Sequence, residues 1–314
     1  MKRLLCGLLS AVLLLSLCGC TSAYQESDKL QVVCTLFPYY DFARVIGGNG
    51  VDVTLLAAPG KETHSFEPTP LDMVRVSKAD VFLYNGGESE QWVDDILSSA
   101  GKDIPVTAAM MELVELEREE IVEGMQVGES HEDEDSDEIE YDEHIWTSPV
   151  LAQSICWGIC GALCKADWEH AEDYVARTDA YVAQLGELDA AFRKVVENGQ
   201  RDTLVFGDRF PLLYFCKTYD LNYRAAFHGC AGDTEPSLAT LKFLIDKVND
   251  EQIPVVYTIE LSSQKVAQAI AETTGAKVVT FHSCQQVSRK DFDNGVTYLD
   301  LMWGNVDALK EGLS

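Results

Sequence analysis

From Leu30 onward the chain alternates short, β-branched apolar runs with amphipathic stretches. "LQVVCTLF" reads as a buried strand, and "PYYDFARVIGG" as a helix that opens on Pro38 and stops at glycines. "VDVTLLAA", "DVFLYNG" and "IPVTAA" repeat the strand signal, with helical patterns in "LDMVRVSKA" and "EQWVDDILSSAG" between them. Strands alternating with helices predict βα units and a parallel sheet. A second set follows: "TLVFGD", "PLLYFCKTYDL", "YRAAFHGC", "EPSLATLKFLIDKVNDEQ", "PVVYTIE", "SSQKVAQAIAETTG" and "AKVVTFHSC", closed by a C-terminal helix in "VTYLDLMWGNVDALKEGL". Between the sets, "SPVLAQSICWGICGALCKA" predicts a helix with Pro149 in its first turn. Residues 167–198 then keep helical periodicity far beyond the mean helix length. A single apolar stripe in mid-chain predicts a joint between two bodies rather than a coiled coil. The expected architecture is α/β: two similar lobes with parallel sheets flanked by helices, joined by one long rigid helix.

Charge and the N-terminus narrow the setting. A formal charge of −28 over 314 residues argues against nucleic acid, whose phosphates need a basic surface. It fits a self-repelling monomer or a protein that works on cations. The first twenty residues carry two basic positions and an apolar run from Leu4 to Leu17, too short for a spanning helix. They close on "LCGC", which resembles a lipobox. The resemblance implies cleavage before Cys20, diacylglycerol on its sulfur, and an extracytoplasmic, membrane-anchored protein; two acyl chains suffice for stable anchoring. The expected divisions are a signal peptide (1–19), a lipidated tether (20–29), a first lobe (30–147, with an acidic loop insertion at 112–143), a helical segment (148–198) and a second lobe (199–314).

Ten cysteines suggest a disulfide framework that the spacing does not support. After Cys6 and Cys18 leave and Cys20 is lipidated, an odd seven remain. Cys156, Cys160 and Cys164 fall on one helical stripe, where buried thiols are expected.

Four histidines sit near strand ends or loop borders: His64, His144, His228 and His282. In open α/β sheets, ligands bind beyond the carboxyl ends of strands. His170 is expected on a solvated helix face and His131 lies within the acidic run. Converging neutral imidazoles suit zinc, whereas manganese, magnesium and calcium favour oxygen donors. No H-E-x-x-H, G-x-S-x-G or P-loop is present, so no enzyme is expected, although three histidines and a water on zinc would describe a hydrolytic site.

The flanks of two histidines carry a resemblance. "ETHSFEPTPLD" and "DEHIWTSP" resemble motifs of the zinc and manganese solute-binding lipoproteins of bacterial ABC importers, and the likeness extends through "EPSLATLKFLI" and "IELSSQKVAQAIAETTGAKVV". It implies one divalent metal in the cleft between lobes, delivered to a permease and its ATPase. His64 and His144 match the first two ligands of that family. The third ligand position reads Gly207 in "VFGDRFP", and the fourth, usually an aspartate, is His282. Asp208, Glu260, His228 or water are the candidates to complete the shell, with Asp208 favoured although strand alternation points it away from its neighbour. Imidazole in place of carboxylate favours Zn²⁺ over Mn²⁺. Cys230 and Cys284 are expected to be inert. Adhesion, proposed for members of such families, is the other alternative.

Ten carboxylates among residues 129–143 end abruptly at His144. Residues from about 115 to 140 are expected to form a solvated, mobile loop that concentrates cations weakly, and "DEHIWTSP" to belong to the fold.

Overall fold

The computed structural model describes residues 29–61, 63, 66–100, 104–125, 140–229 and 236–314. Cys20 with the signal peptide and tether, His64, His131 and Cys230 lie outside the described residues.

The first lobe is built on β1 (Leu30–Cys34), β2 (Val51–Leu55), β3 (Val81–Tyr84) and β4 (Val106–Ala109), all parallel in the order β2-β1-β3-β4. The second uses β5 (Thr203–Phe210), β6 (Asn222–His228), β7 (Val255–Thr258) and β8 (Lys277–Thr280) in the equivalent order β6-β5-β7-β8. Each order reverses beside its first strand, which opens a crevice at the carboxyl ends of β1/β3 and of β5/β7. His228 is the last residue of β6, and His282 follows the carboxyl end of β8.

The crossover helices of the first lobe are α1 (Phe37–Gly47), α2 (Pro70–Ser77) and α3 (Trp92–Ala100). Local chemistry sets their starts. Thr69 and Asp72 form a reciprocal capping box ahead of Pro70, so "TPLD" in the sequence motif is also a helix start. The joint consists of α4 (Pro149–Ala166), whose Ser148 side chain accepts from the Leu151 N–H, and α5 (Ala171–Glu197). The second lobe adds α6 (Leu213–Tyr219), α7 (Leu238–Asp250), α8 (Lys265–Thr274), α9 (Arg289–Asp293) and α10 (Tyr298–Leu313).

One apolar core runs through the whole described molecule. Val32, Leu83 and Val106 of the first sheet join Leu204, Phe206 and Tyr257 of the second through Ile155, Ile159, Tyr181, Leu185 and Phe192 on α4 and α5. Each sheet keeps a smaller core on its other face, around Val33, Val76 and Phe82 in one lobe and Val205, Leu244 and Ile270 in the other. The amino half of α5 grips the first lobe: Arg177 Nε and Nη2 donate to the carbonyls of Ile46 and Gly47 at 2.5 and 3.1 Å. Its carboxyl half grips the second: Tyr219 donates to Asp189 at 3.1 Å, and Phe192 stacks edge-on against Phe215. Helix α10 makes a second bridge, with the Tyr298 N–H donating to Asp41 of α1 and the Tyr257 hydroxyl donating to the Ala308 carbonyl.

The acidic insertion departs from expectation at its base. Residues 114–125 are not a solvated loop; they form a strap from the first lobe across the second. The Glu117 N–H donates to the Tyr214 hydroxyl, Lys217 pairs with Glu120 at 2.5 Å, and Tyr223 donates to Glu120 at 3.3 Å. The strap returns through an antiparallel bridge of Arg118 with Tyr141, the Glu119 N–H donating to the Glu140 carbonyl and the Asp142 N–H to the Glu117 carbonyl. Gly124, at φ +88°, lies so close to Phe243 that a β-carbon would strike the ring. Val114, Leu116 and Val122 pack on the common core and Met125 is buried within it, which supplies the apolar partners a charged segment needs to stay folded. The acidic run itself, 126–139, lies outside the described residues.

The cysteine stripe is partly as expected. The six described cysteines are free; Cys156 and Cys160 are buried, and Cys164, at the end of α4, is half-buried rather than buried.

Candidate metal centre

His144 is fully buried at the seam between the lobes. Asp142 Oδ1 accepts from the His144 backbone N–H at 2.8 Å and sits 3.2 Å from ring Nδ1. This geometry places the ring proton on Nδ1 and makes Nε2 the nitrogen for a metal. Burial disfavours the imidazolium, but Asp142, Glu143 and Glu119 outweigh it and hold the His144 pKa above the usual value. The segment is pinned from both lobes. Tyr214 donates to the Asp142 carbonyl at 2.8 Å, Asn85 Nδ2 to the Glu143 carbonyl at 2.9 Å, and Tyr298 to the Trp146 carbonyl at 2.7 Å.

His282 lies two residues beyond β8 and lines a cavity of about 240 Å³ with Glu260, Gln286 and Asp291. Asn305, buried on α10, clamps its peptide unit: the His282 N–H donates to Asn305 Oδ1 and Asn305 Nδ2 donates to the His282 carbonyl, both at 2.7 Å. Its Nδ1 is buried and meets no hydrogen-bonding partner among the described residues, as suits a nitrogen reserved for a metal. Trp146 Nε1 donates to the Ser283 carbonyl at 2.8 Å, which joins the His144 segment to the His282 segment.

Thr63, the residue before His64, accepts from Gln286 Nε2 at 3.2 Å, so the loop that carries the first motif reaches the His282 turn. His64 itself lies outside the described residues.

Asp208 and Glu260 line a larger cavity of about 420 Å³ with Gly60, Arg209, Lys265 and Ser283. The β5–β6 register shifts between Phe206 and Arg209, a bulge that breaks the alternation expected at Asp208. Asp208 Oδ1 accepts from the Arg209 N–H at 2.9 Å and Oδ2 from the Ile259 N–H at 3.3 Å, so it ties β5 to the end of β7. Glu260 accepts from the N–H and hydroxyl of Ser283 at 2.7 and 2.6 Å and thereby anchors the His282 turn. Gly207 is a packing position. A β-carbon there would lie 2.5 Å from Ala267 Cα and 2.6 Å from its N, backbone of α8 that cannot step aside. No side chain from position 207 can reach the seam while α8 lies where it does.

His228 ends β6 as expected, but its Nδ1 faces Glu119 of the strap at 3.0 Å. Hydrogen bonding to Glu119 raises its pKa, against the pull of burial. Cys284 is buried, and desolvation holds its thiol well above the usual range, which leaves it inert. His170 is exposed and paired with Asp167. Among the described residues, no three His, Cys, Asp or Glu side chains form a group that could hold a metal.

Residues 32–312 match the family described as zinc-uptake complex component A, periplasmic. The chain belongs to this family. It is 33% identical to the high-affinity zinc uptake system protein ZnuA of Bacillus subtilis, over 96% of this chain and 94% of that one. It is 28% identical to the zinc-binding lipoprotein AdcA of Streptococcus pneumoniae, but spans only 60% of that protein's length. The crystal structure of the metal-dependent lipoprotein YcdH of Bacillus subtilis matches with a TM-score of 0.76 at 31% identity, over 91% of this chain and 100% of that one. The Zn(II)-bound ZnuA-like domain of Streptococcus pneumoniae AdcA matches at 0.74 and 26% identity, over 91% and 99%. The laminin-binding protein Lmb of Streptococcus agalactiae shares the fold at 24% identity and a TM-score of 0.76, with 91% of this chain and 100% of that one covered. Members of the zinc-uptake component family are the binding components of uptake systems, not enzymes.

Sequence reasoning missed Asp142, Ser283 and Asn305. Asp142 stood in the quoted motif two residues before His144. Asn305 carries no local signal, because only the packing of α10 brings it to His282.

Proposed function

We propose that this protein captures zinc outside the cell and delivers it to the permease of an ABC importer driven by its ATPase. The observation that carries the reading is the junction of the His144 and His282 segments at the seam, in a chain matched to the zinc-uptake family from residue 32 to 312. His64, His144 and His282 are the proposed ligands of the cargo ion. Asp208, the favoured fourth ligand, is engaged by two backbone N–H groups and would have to release them to join the shell, which water otherwise completes. The imidazole-rich set favours Zn²⁺ over Mn²⁺. Under this reading residues 1–19 are a signal peptide and 20–29 a tether lipidated at Cys20. The lobes then divide at 30–147 and 199–314 around a helical joint at 148–198, and the chain works as a monomer. The hydrolytic and adhesive alternatives are not favoured.

Isothermal calorimetry with zinc is the test. One tight site per chain is expected, weakened strongly by His64→Ala and His144→Ala, and weakened as pH falls because protons compete for the ligands. Competition at His144 begins above the usual histidine range, since its pKa is raised. Unchanged zinc affinity in both variants sinks the proposal.

A further inference from the structure

The two histidine-bearing segments of the seam come from different parts of the chain, yet a buried hydrogen bond between Trp146 and Ser283 joins them directly. The backbone around His282 is fixed at four points. Its own N–H and carbonyl are held by Asn305 at 2.7 Å each, the Ser283 N–H by Glu260 at 2.7 Å, and the Ser283 carbonyl by the Trp146 indole at 2.8 Å. Cys284 follows in the left-handed region, at φ +60°, a conformation that the surrounding contacts impose on a non-glycine residue. Asn305 and Glu260 belong to the second lobe and hold His282 to that lobe alone. Only the Trp146 bond comes from the segment that presents His144.

Trp146 is itself immobilised. It is 1% exposed, its carbonyl accepts from Tyr298 at 2.7 Å, and its ring packs edge-on against Tyr39 and against the His144 imidazole, with centroids 5.9 and 5.5 Å apart. A rigid indole on one ligand segment that donates to the carbonyl next to the other ligand fixes their separation. Metal affinity depends steeply on that separation, because a ligand displaced by a few tenths of an ångström no longer meets the ion at bonding distance.

We infer that Trp146 is a positioning residue for the metal centre: its Nε1–H bond to the Ser283 carbonyl sets the span between the His144 and His282 imidazoles. The inference rests on the proposed zinc reading of those histidines. It assigns the tryptophan of "DEHIWTSP" a role in affinity that packing alone does not require, since a phenyl ring fills most of the same space.

The test is a double-mutant cycle on the full chain, with zinc alone as ligand and a competing chelator to read affinity. Trp146→Phe removes the N–H donor. Benzothienylalanine at position 146 keeps the bicycle and replaces only the N–H by sulfur, so it reports on the bond even where the phenylalanine variant folds poorly. Each change is expected to weaken zinc binding about tenfold or more, the range for groups that orient ligands. In a His282→Ala background the same changes are expected to cost nothing further, because the group they position is gone. Cobalt(II) bound in place of zinc is expected to show a shifted d–d absorption in the benzothienyl protein, a readout that loss of stability alone does not move. An equal loss in both backgrounds, or no loss in either, overturns the positioning role. His282→Ala that leaves zinc affinity unchanged instead overturns the ligand reading on which it rests.

Discussion

Glu90 is the buried carboxylate whose titration bears most directly on the integrity of the site. It lies 7% exposed behind the carboxyl end of β3, and Oε2 accepts from the N–H groups of Asn85 and Gly86 at 2.7 and 3.0 Å. Asn85 in turn accepts from Tyr39 and donates to the Glu143 carbonyl beside His144. Burial pushes the Glu90 carboxyl from 4.5 up to about 7, opposed by the Thr35 hydroxyl and the two N–H donors and helped by the neighbouring Glu143. Between these values the folded state holds a proton that the unfolded chain has already released, so the contribution of Glu90 to stability is greatest below pH 4.5 and declines as pH rises to about 7. The gap is worth about 3 kcal/mol at roughly 1.4 kcal/mol per pH unit. Glu90→Gln keeps an acceptor for both N–H groups and cannot ionise. Urea unfolding of the metal-free protein at steps from pH 5 to pH 8 is expected to show the native chain losing about 2–3 kcal/mol more than the variant across that range. At pH 8 the variant is expected to be the more stable of the two. Parallel pH profiles would refute the account, because they would mean that Glu90 is ionised in the fold without penalty.

Gly207→Ala drives a methyl into the backbone of α8 and is expected to cost about 1–3 kcal/mol in thermal or urea unfolding; a neutral result would show that α8 can step back. Tyr214→Phe removes the hydroxyl that donates to the Asp142 carbonyl and accepts from the Glu117 N–H. A buried carbonyl and a half-buried N–H lose a partner, so a loss of about 1–3 kcal/mol is expected together with faster amide exchange at Glu117, and unaltered exchange there would contradict it. Deleting residues 127–138 is expected to slow zinc association at low salt while leaving the equilibrium affinity within about twofold. Stopped-flow rates that do not change with the deletion would reduce the acidic run to a spacer.

Much of the fold was readable because apolar periodicity and helix-start chemistry point the same way. The eight strands and the long mid-chain helix follow from apolar runs and from 3.6-residue periodicity, and Pro149 marks a helix start that the structure contains, whereas the capping box of Thr69 and Asp72 was not read from "TPLD". The strap at 114–125 was not legible. Its glutamates dominate a charge-based reading, whereas Val114, Leu116, Val122 and Met125 anchor it only because the second lobe offers them a surface. The seam was half legible: His144 and His282 stand at addresses that strand ends favour, but their junction runs through an indole and a carbonyl far apart in sequence. Gly207 illustrates the opposite failure. Motif correspondence made it a vacant ligand position, and the close approach of α8 shows what the glycine is for.

The closed base of the strap has a consequence for how such a chain can vary. Glu119 and Glu140 are hydrogen-bonded to each other, and Arg118 pairs with Tyr141, so the two ends of the stretch 120–139 are held side by side whatever lies between them. For a loop whose ends are already clamped, the entropic penalty grows only with the logarithm of length, about 0.6 kcal/mol for each doubling. The acidic segment can therefore lengthen, shorten or change composition at almost no cost to the folded state, while His144, only four residues past the clamp, stays where Asp142 and Tyr214 put it. Tuning of cation attraction is thereby separated from tuning of the tight site, and the two can drift independently.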